Sequence, residues 1–146
     1  MPEKNIEDFN LAVAQLLGEL YRTFPKKIRL CASEFLRPPD TSAMPDDQEQ
    51  HDALNRWLDL VDTYNHTAYF LLEEGYICGS RSDKFTTVEN CRLTSKGLAA
   101  LQKVPASLRE RDRPIGELFL EIGRGALKEG AKELAKASVV SLLSAH

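Results

Sequence analysis

Apolar side chains repeat with helical spacing near the start of the chain. Within residues 6–24 they recur every three or four positions, so one face of a helix is apolar and the other polar. Asn5 is a suitable N-cap before this run, and Pro25 is a suitable stop after it. The pattern therefore predicts a first helix whose buried stripe consists of Phe9, Val13, Leu16, Leu17 and Leu20.

The next segment alternates short apolar runs with breakers. Residues 28–31 fit a strand or the entry to a small helix over 33–36, and three prolines within 37–45 predict a loop. A helix from Asp46 or Asp47 would place Leu54, Trp57, Leu58 and Val61 on one face. Asp62-Thr63 resembles a break and a new N-cap for a second helix over 64–74, although a single helix over 46–74 stays open. Gly75 is the expected C-terminal stop.

Two β-rich runs follow and predict a hairpin. The runs cover 76–79 and 86–93, and pairing of Cys78 with Cys91 would place the tip at Lys84-Phe85. Thr94 is positioned to cap a helix over 95–103. A polar linker over 106–114 then leads to 115–146, which reads as one last long helix or as two. These assignments predict a mainly α chain with a small β-hairpin, an α+β class.

Composition and charge narrow the function classes. The 146 residues are 42% hydrophobic and 28% charged, which is typical of a globular domain with its own core. The formal net charge of −3 argues against a protein that coats nucleic acid through bulk positive charge, but a local basic patch is compatible with it. Motifs of nucleotide-binding, hydrolytic and metal-dependent enzymes are absent from the sequence, so we expect neither enzymatic activity nor a cofactor or metal.

The same considerations give an expected compartment. No run approaches the 18 apolar residues that a membrane span needs, so we expect no membrane association. The polar start over residues 1–8 and three cysteines without paired spacing favour a reducing, cytoplasmic setting.

Two segments carry a family resemblance. Residues 63–77, which run from Thr63 through Leu71 to Gly75 and Ile77, look like a recognition helix leading into a strand. Residues 92–97, with Leu93-Thr94 and Gly97, look like the entry from a wing strand into the next helix. In this order and spacing they resemble the winged helix-turn-helix superfamily, in the style of MarR-like and PadR-like bacterial regulators, over about residues 6–105.

The resemblance implies a winged-helix domain over 1–105, with a loop insertion at about 37–50. It implies a transcriptional regulator that binds double-stranded DNA as a homodimer, with the recognition helix in the major groove and the wing on the backbone. The residues that would contact nucleic acid are Thr63, Tyr64, Asn65, His66 and Thr67 at the helix start and Arg81 and Lys84 on the wing.

One departure supports an alternative function. The candidate recognition helix carries no Lys or Arg and ends in Glu73 and Glu74. Winged helices also act as protein-contact modules. A protein–protein interaction module that does not bind DNA is therefore the second hypothesis.

The tail over 115–146 repeats every seven residues. Small residues at one position alternate with leucines four residues later, which is the pattern of a heptad seam that lets a second helix approach closely. This predicts a dimer interface at Gly116, Leu120, Gly123, Leu127, Gly130, Leu134 and Ala137. The alternative is that the tail packs against the helix at 6–24 of its own chain.

Overall fold

Five helices and three short strands make up the architecture, taken from a computed structural model that describes residues 4–40, 42, 48–82, 87–103, 113–125 and 131–144. Their order follows the chain: α1 Lys4–Thr23, β1 Ile28–Cys31, a short 3-10 helix Ala32–Glu34, α2 Gln48–Glu73, β2 Ile77–Arg81, β3 Thr87–Leu93, α3 Ser95–Leu101, α4 Ile115–Gly125 and α5 Ala131–Leu143. The expected α+β class, mainly helical with a small antiparallel sheet, is confirmed.

Helix α1 is the centre of the core. Val13, Leu16, Leu17 and Leu20 of its predicted stripe are buried and Phe9 is half-buried, and α2, α4 and α5 all pack around the helix. The helix ends at Thr23, one residue before the predicted end at 24, so the expected stop before Pro25 is confirmed. It already includes Lys4, so the predicted N-cap at Asn5 is wrong; Asn5 lies within the first turn of the helix.

The three strands form one antiparallel sheet in the order β1-β3-β2. Ile77 pairs with Leu93 and Cys78 pairs with Arg92, so the predicted pairing of Cys78 with Cys91 is wrong by one residue. The reason is a bulge in β3, where Asn90 takes a φ of 52° and the register shifts against both neighbouring strands. The predicted hairpin tip, Lys84-Phe85, lies outside the described residues.

A single helix, α2, replaces the two that a break at Asp62-Thr63 would give. The Thr63 hydroxyl donates to the Asp59 carbonyl oxygen at 3.0 Å, and the Thr67 hydroxyl donates to the Thr63 carbonyl oxygen at 2.7 Å. Both threonines thus bond back to the preceding turn of a continuous helix instead of capping a new one. The open alternative of one helix over this region is the observed arrangement.

The junction after α2 uses the residues that carry the family resemblance. Gly75 has a φ of 82°, and the Tyr76 amide donates to the Leu71 carbonyl oxygen at 3.0 Å, which closes the helix end. The Thr94 side chain accepts from the Gly97 amide at 3.0 Å and donates to the Gly75 carbonyl oxygen at 2.5 Å. Thr94 is therefore the predicted cap of α3 and also fixes that helix to the end of α2.

The tail forms two helices, which pack on α1 and on each other. Gly18 of α1 lies against the Phe119 backbone, where an added methyl group would be 3.3 Å from the Phe119 carbonyl carbon. One turn further along α1, a methyl group at Gly116 would lie 2.7 Å from the Tyr21 ring. Small residues therefore permit a close approach here, and the approaching helix belongs to the same chain.

Candidate functional site

The residues expected to read bases lie mostly inside the protein. Tyr64, Asn65 and Thr67 are 3%, 7% and 2% exposed. The Tyr64 hydroxyl donates to the Gln15 side-chain oxygen on α1, and burial raises the pKa of Tyr64 above its usual value of about 10. Tyr64 thus joins α2 to α1, the Thr67 hydroxyl donates within α2, and none of the three side chains is available at the surface.

The helix start that would bind phosphate is also absent from this segment. Thr63 lies in the interior of α2, which begins at Gln48. Backbone amides in the interior of a helix donate to carbonyl groups one turn earlier, whereas only the first four amides are free to bind an anion. Residues 63–67 therefore do not supply the anion site expected of a recognition-helix N-terminus.

Of the predicted residues that the structure describes, His66 and Arg81 are exposed and Thr63 is half-buried. His66 Nε2 lies 3.5 Å from an Asp62 carboxylate oxygen, one turn earlier on α2. The His66 and Tyr69 rings meet edge to face at 6.2 Å, and the Arg81 guanidinium lies 3.8 Å from the centre of the Tyr69 ring. The structure thus links α2 to β2 through a surface row of side chains. Lys84 lies outside the described residues.

Two leucines extend this row towards the start of α2. Leu54 and Leu58, one turn apart, are 36% and 53% exposed. We call the continuous surface of Leu54, Leu58, Asp62, His66, Tyr69 and Arg81 the α2 face. It combines apolar, aromatic and charged side chains on one side of the molecule.

Sequence reasoning missed most of the α2 face because it grouped Leu54 and Leu58 with Trp57 and Val61 on one apolar face. The phase of the helix does not separate the two leucines from the buried residues. Leu58 and Leu54 lie about two and about three turns before Asn65, so they point in a similar direction to that buried side chain. They are exposed because the cover that buries Asn65 does not extend to the first half of α2, and a local pattern does not contain that information.

The electrostatics of α2 are acidic. The helix contains five carboxylates and a single cation, Arg56, which gives a formal charge of −4. The exposed carboxylates along its length are Asp52, Asp59, Asp62 and Glu73, in addition to Glu49 near its start. A phosphate backbone that approached this helix would meet predominantly negative charge.

The predicted dimer seam is divided between two helices. On α4, Gly116 is buried against Tyr21, whereas Gly123 is exposed with open space around it. Leu120 on α4 and Leu134 and Ala137 on α5 are half-buried. Leu127 and Gly130 lie outside the described residues. The packing within the chain is the alternative raised for the tail, and the homodimer stays a prediction.

A cleft opens between α1, the 3-10 helix and α4. It has a volume of about 280 Å³ and is lined by Phe35, Phe119 and Leu120 together with polar side chains of α1. Two of its acidic groups already have partners, since Glu19 pairs with Arg22 and Glu34 lies 3.5 Å from Arg29. The Gln15 side-chain oxygen accepts the Tyr64 hydroxyl. The polar groups of the cleft therefore serve the fold of this chain.

The three cysteines form no disulfide, and Cys91 is buried. All three are free, and burial raises the pKa of the Cys91 thiol to about 12, which keeps it protonated. Among the described residues, no three His, Cys, Asp or Glu side chains are grouped to hold a metal ion. Nor does any helix in the described ranges have the length and apolar character needed to cross a membrane.

Comparison with protein-family models, with curated proteins and with solved structures found no match.

Proposed function

We propose that this chain is a protein–protein interaction module of winged-helix type, and that it contacts its partner through the α2 face. The sheet order β1-β3-β2 and the passage from α2 through Gly75 into β2 support the winged-helix arrangement implied by the resemblance. A second departure from that resemblance, besides the missing cations, is that a single helix stands where two were expected. The choice of a protein partner over DNA depends on the character of α2.

One observation carries the proposal: the helix that would enter a DNA groove hides its polar residues and exposes carboxylates. Binding to duplex DNA is dominated by cations that neutralise phosphates and release counterions. Helix α2 has a formal charge of −4, and of the five residues expected at its groove-reading start only His66 is fully exposed. Most of the affinity and specificity of a DNA complex would have to come from outside this helix.

The same face has the features of a protein contact. Tyr and Arg are the residue types that most often dominate binding energy in protein interfaces, and Leu58 adds exposed apolar area beside them. The Arg81–Tyr69 stack holds both side chains in place before a partner arrives, which lowers the entropy cost of ordering them. The α2 face is therefore partly preorganised for binding.

A DNA-binding assay tests the claim that the partner is not DNA. Fluorescence anisotropy of a labelled pool of short duplexes, at about 50 and about 200 mM salt, reports both affinity and its salt dependence. We expect no binding at either concentration. Binding that weakens steeply with salt, and that Arg81→Ala reduces, would restore the DNA-binding regulator.

A matched pair of variants tests the claim that the α2 face contacts a protein partner. Tagged wild-type chain, Leu58→Glu and Ile6→Glu are used to recover partners from a native extract after chemical cross-linking. Ile6 is a suitable control because it is 52% exposed, like Leu58, but lies on α1 outside the α2 face. We expect a cross-linked protein that wild type and Ile6→Glu retain and Leu58→Glu loses. Equal recovery by all three chains would contradict use of this face.

A further inference from the structure

Strand β1 forms one edge of the three-stranded sheet. In the order β1-β3-β2 it pairs with β3 on one side, and its other side faces away from the sheet. Among the described residues, no backbone hydrogen bond outside the sheet involves Ile28, Arg29 or Leu30. The outward N–H and C=O groups of such an edge can pair with another extended chain. Strand β1 is therefore a template for a further strand.

A groove follows this edge. It has a volume of about 270 Å³, and Ile28, Arg29 and Leu30 are three of the residues that line it. Successive side chains of a strand point to opposite faces of the sheet, so a groove that touches three successive residues runs along the margin of the strand and not over one face. The half-buried Phe35 also lines the groove and adds apolar surface. Extended backbone is the occupant that the donors and acceptors of this edge match.

The two ends of β1 carry opposite charges. Lys26 and Lys27 precede the strand, both are exposed, and neither forms an ion pair with another described residue. Glu34 follows the strand, and its pair with Arg29 at 3.5 Å is solvent-exposed, so that pair contributes little and leaves the carboxylate open to a second cation. Two antiparallel copies of β1 would bring the cationic start of each strand to the acidic end of the other. A parallel pair would align like charges, which repel.

From the open edge, the groove and the order of charges, we infer that two copies of this chain associate by antiparallel pairing of β1 with β1. A two-fold axis between the copies produces this arrangement, and it joins two sheets into one of six strands. The contact involves residues outside the α2 face and does not depend on the proposed function. Interfaces that bury less than about 1,000 Å² are weak, and a pair of four-residue strands is a small contact, so we expect a dissociation constant on the order of 100 µM.

Sedimentation equilibrium of the full chain tests the association. At concentrations from about 10 µM to about 1 mM, the average mass should rise from that of a monomer towards that of a dimer. A monomer mass over the whole range would overturn the inference.

Charge-reversed chains locate the interface. Lys26→Glu with Lys27→Glu makes both ends of the strand acidic, and Glu34→Lys makes both ends basic. Each variant alone should associate about tenfold more weakly than wild type, because like charges then meet at both contacts. An equimolar mixture of the two variants restores attraction at both contacts and should recover the wild-type mass. Failure of the mixture to recover association would contradict the antiparallel pairing.

A matched set of variants controls for bulk charge. Lys4→Glu with Lys136→Glu and, separately, Glu117→Lys reverse exposed charges on α1, α5 and α4. Each control chain should associate like wild type, since these charges lie on other elements. Equal loss of association in the control chains and the β1 variants would mean that net charge governs the mass, and would overturn the assignment to β1.

Hydrogen exchange on the wild-type chain tests the backbone pairing directly. Amides of 28–31 should exchange about tenfold more slowly at high than at low protein concentration, whereas those of α3 should not change. This measurement needs no variant, so it decides the question even if a charge-reversed chain does not fold. Exchange in β1 that is independent of concentration would overturn the strand pairing. An association that Gly123→Leu abolishes and the β1 variants retain would instead assign the dimer to the tail.

Discussion

Helices α2 and α4 are each buried along one part of their length and exposed along another. The second half of α2 buries Tyr64, Asn65, Thr67, Ala68 and Leu71, whereas its first half exposes Leu54 and Leu58. Helix α4 buries its first turns against α1 but leaves Gly123 exposed. In both helices, some of the residues that were expected to contact a partner are buried in the core.

The difference shows what an apolar or small-residue pattern can specify. A repeat indicates which side of a helix is covered, but it does not indicate whether the cover comes from the same chain or from another. At Gly116 the cover is Tyr21 of α1. Residues available to a partner are therefore the exposed ones, and paired substitutions of a buried and an exposed residue in the same helix measure the distinction.

The largest contrast should come from two leucines of α2. Leu71→Ala removes a side chain that is fully buried and leaves a cavity, so we expect the free energy of unfolding to fall by about 2–5 kcal/mol. Leu58→Ala removes an exposed side chain and should change it by less than about 0.5 kcal/mol. Urea unfolding followed by circular dichroism gives both values. Similar losses in the two variants would mean that Leu58 is covered in solution.

Two glycines of α4 provide the next contrast. In Gly116→Ala the new methyl group would lie 2.7 Å from the Tyr21 ring, and we expect a loss of about 1–3 kcal/mol in unfolding free energy. In Gly123→Ala nothing lies within 4 Å of the methyl group, so removal of backbone freedom should stabilise the helix by up to about 1 kcal/mol.

Substitution of Gly123 also tests the predicted dimer interface. Gly123→Leu should turn a dimer into a monomer if a second chain packs closely there, and sedimentation measurements report the mass directly. An unchanged mass would count against the seam. Destabilisation by Gly123→Ala would instead indicate that another helix covers this position.

Local chemistry was the part of the structure that the sequence predicted best. Gly75, Thr94 and Gly97 were assigned to a turn, a cap and a helix start, and each assignment depends on bonds within the junction itself. The break at Asp62-Thr63 was wrong because a threonine hydroxyl can cap a new helix or bond to the previous turn, and packing against α1 decides between them. A local pattern does not contain that packing.

The candidate site was harder to predict because it depends on the phase of α2. Two separate helices would have allowed Tyr64 and Asn65 to face outward at a helix start. A continuous helix links their orientation to that of Leu71, and all three are buried together. The strand register shows a similar effect, since the bulge at Asn90 shifts the pairing by one residue.

Tyr64 tests whether polar groups in the buried half of α2 stabilise the folded protein. Tyr64→Phe removes the hydrogen bond to Gln15 and should reduce the unfolding free energy by about 1 kcal/mol at neutral pH. Because burial raises the pKa of Tyr64, the buried phenol stays protonated above pH 10, whereas the unfolded phenol ionises. The wild type should therefore lose stability as the pH rises above 10, by up to about 1.4 kcal/mol per pH unit from this group.

Tyr64→Phe has no phenol that can ionise. The difference in unfolding free energy between this variant and wild type should therefore narrow above pH 10. Urea titrations at neutral pH and at a series of alkaline pH values measure the change in slope. If that difference in unfolding free energy stays constant with pH, Tyr64 reaches solvent in the folded protein.

The smallest effect concerns the Arg81–Tyr69 stack, at the surface beside the second half of α2. A cation over an exposed aromatic ring contributes about 0.5–1 kcal/mol, and the guanidinium lies 3.8 Å from the ring centre. A double-mutant cycle with Arg81→Ala and Tyr69→Ala should return a coupling energy of that size from urea unfolding. Arg92→Ala with Tyr69→Ala is the control, because Arg92 is also exposed but pairs with Cys78 across the sheet. Equal coupling in the two cycles would mean that Arg81 is not held on Tyr69, and the α2 face would then lack its preorganised end.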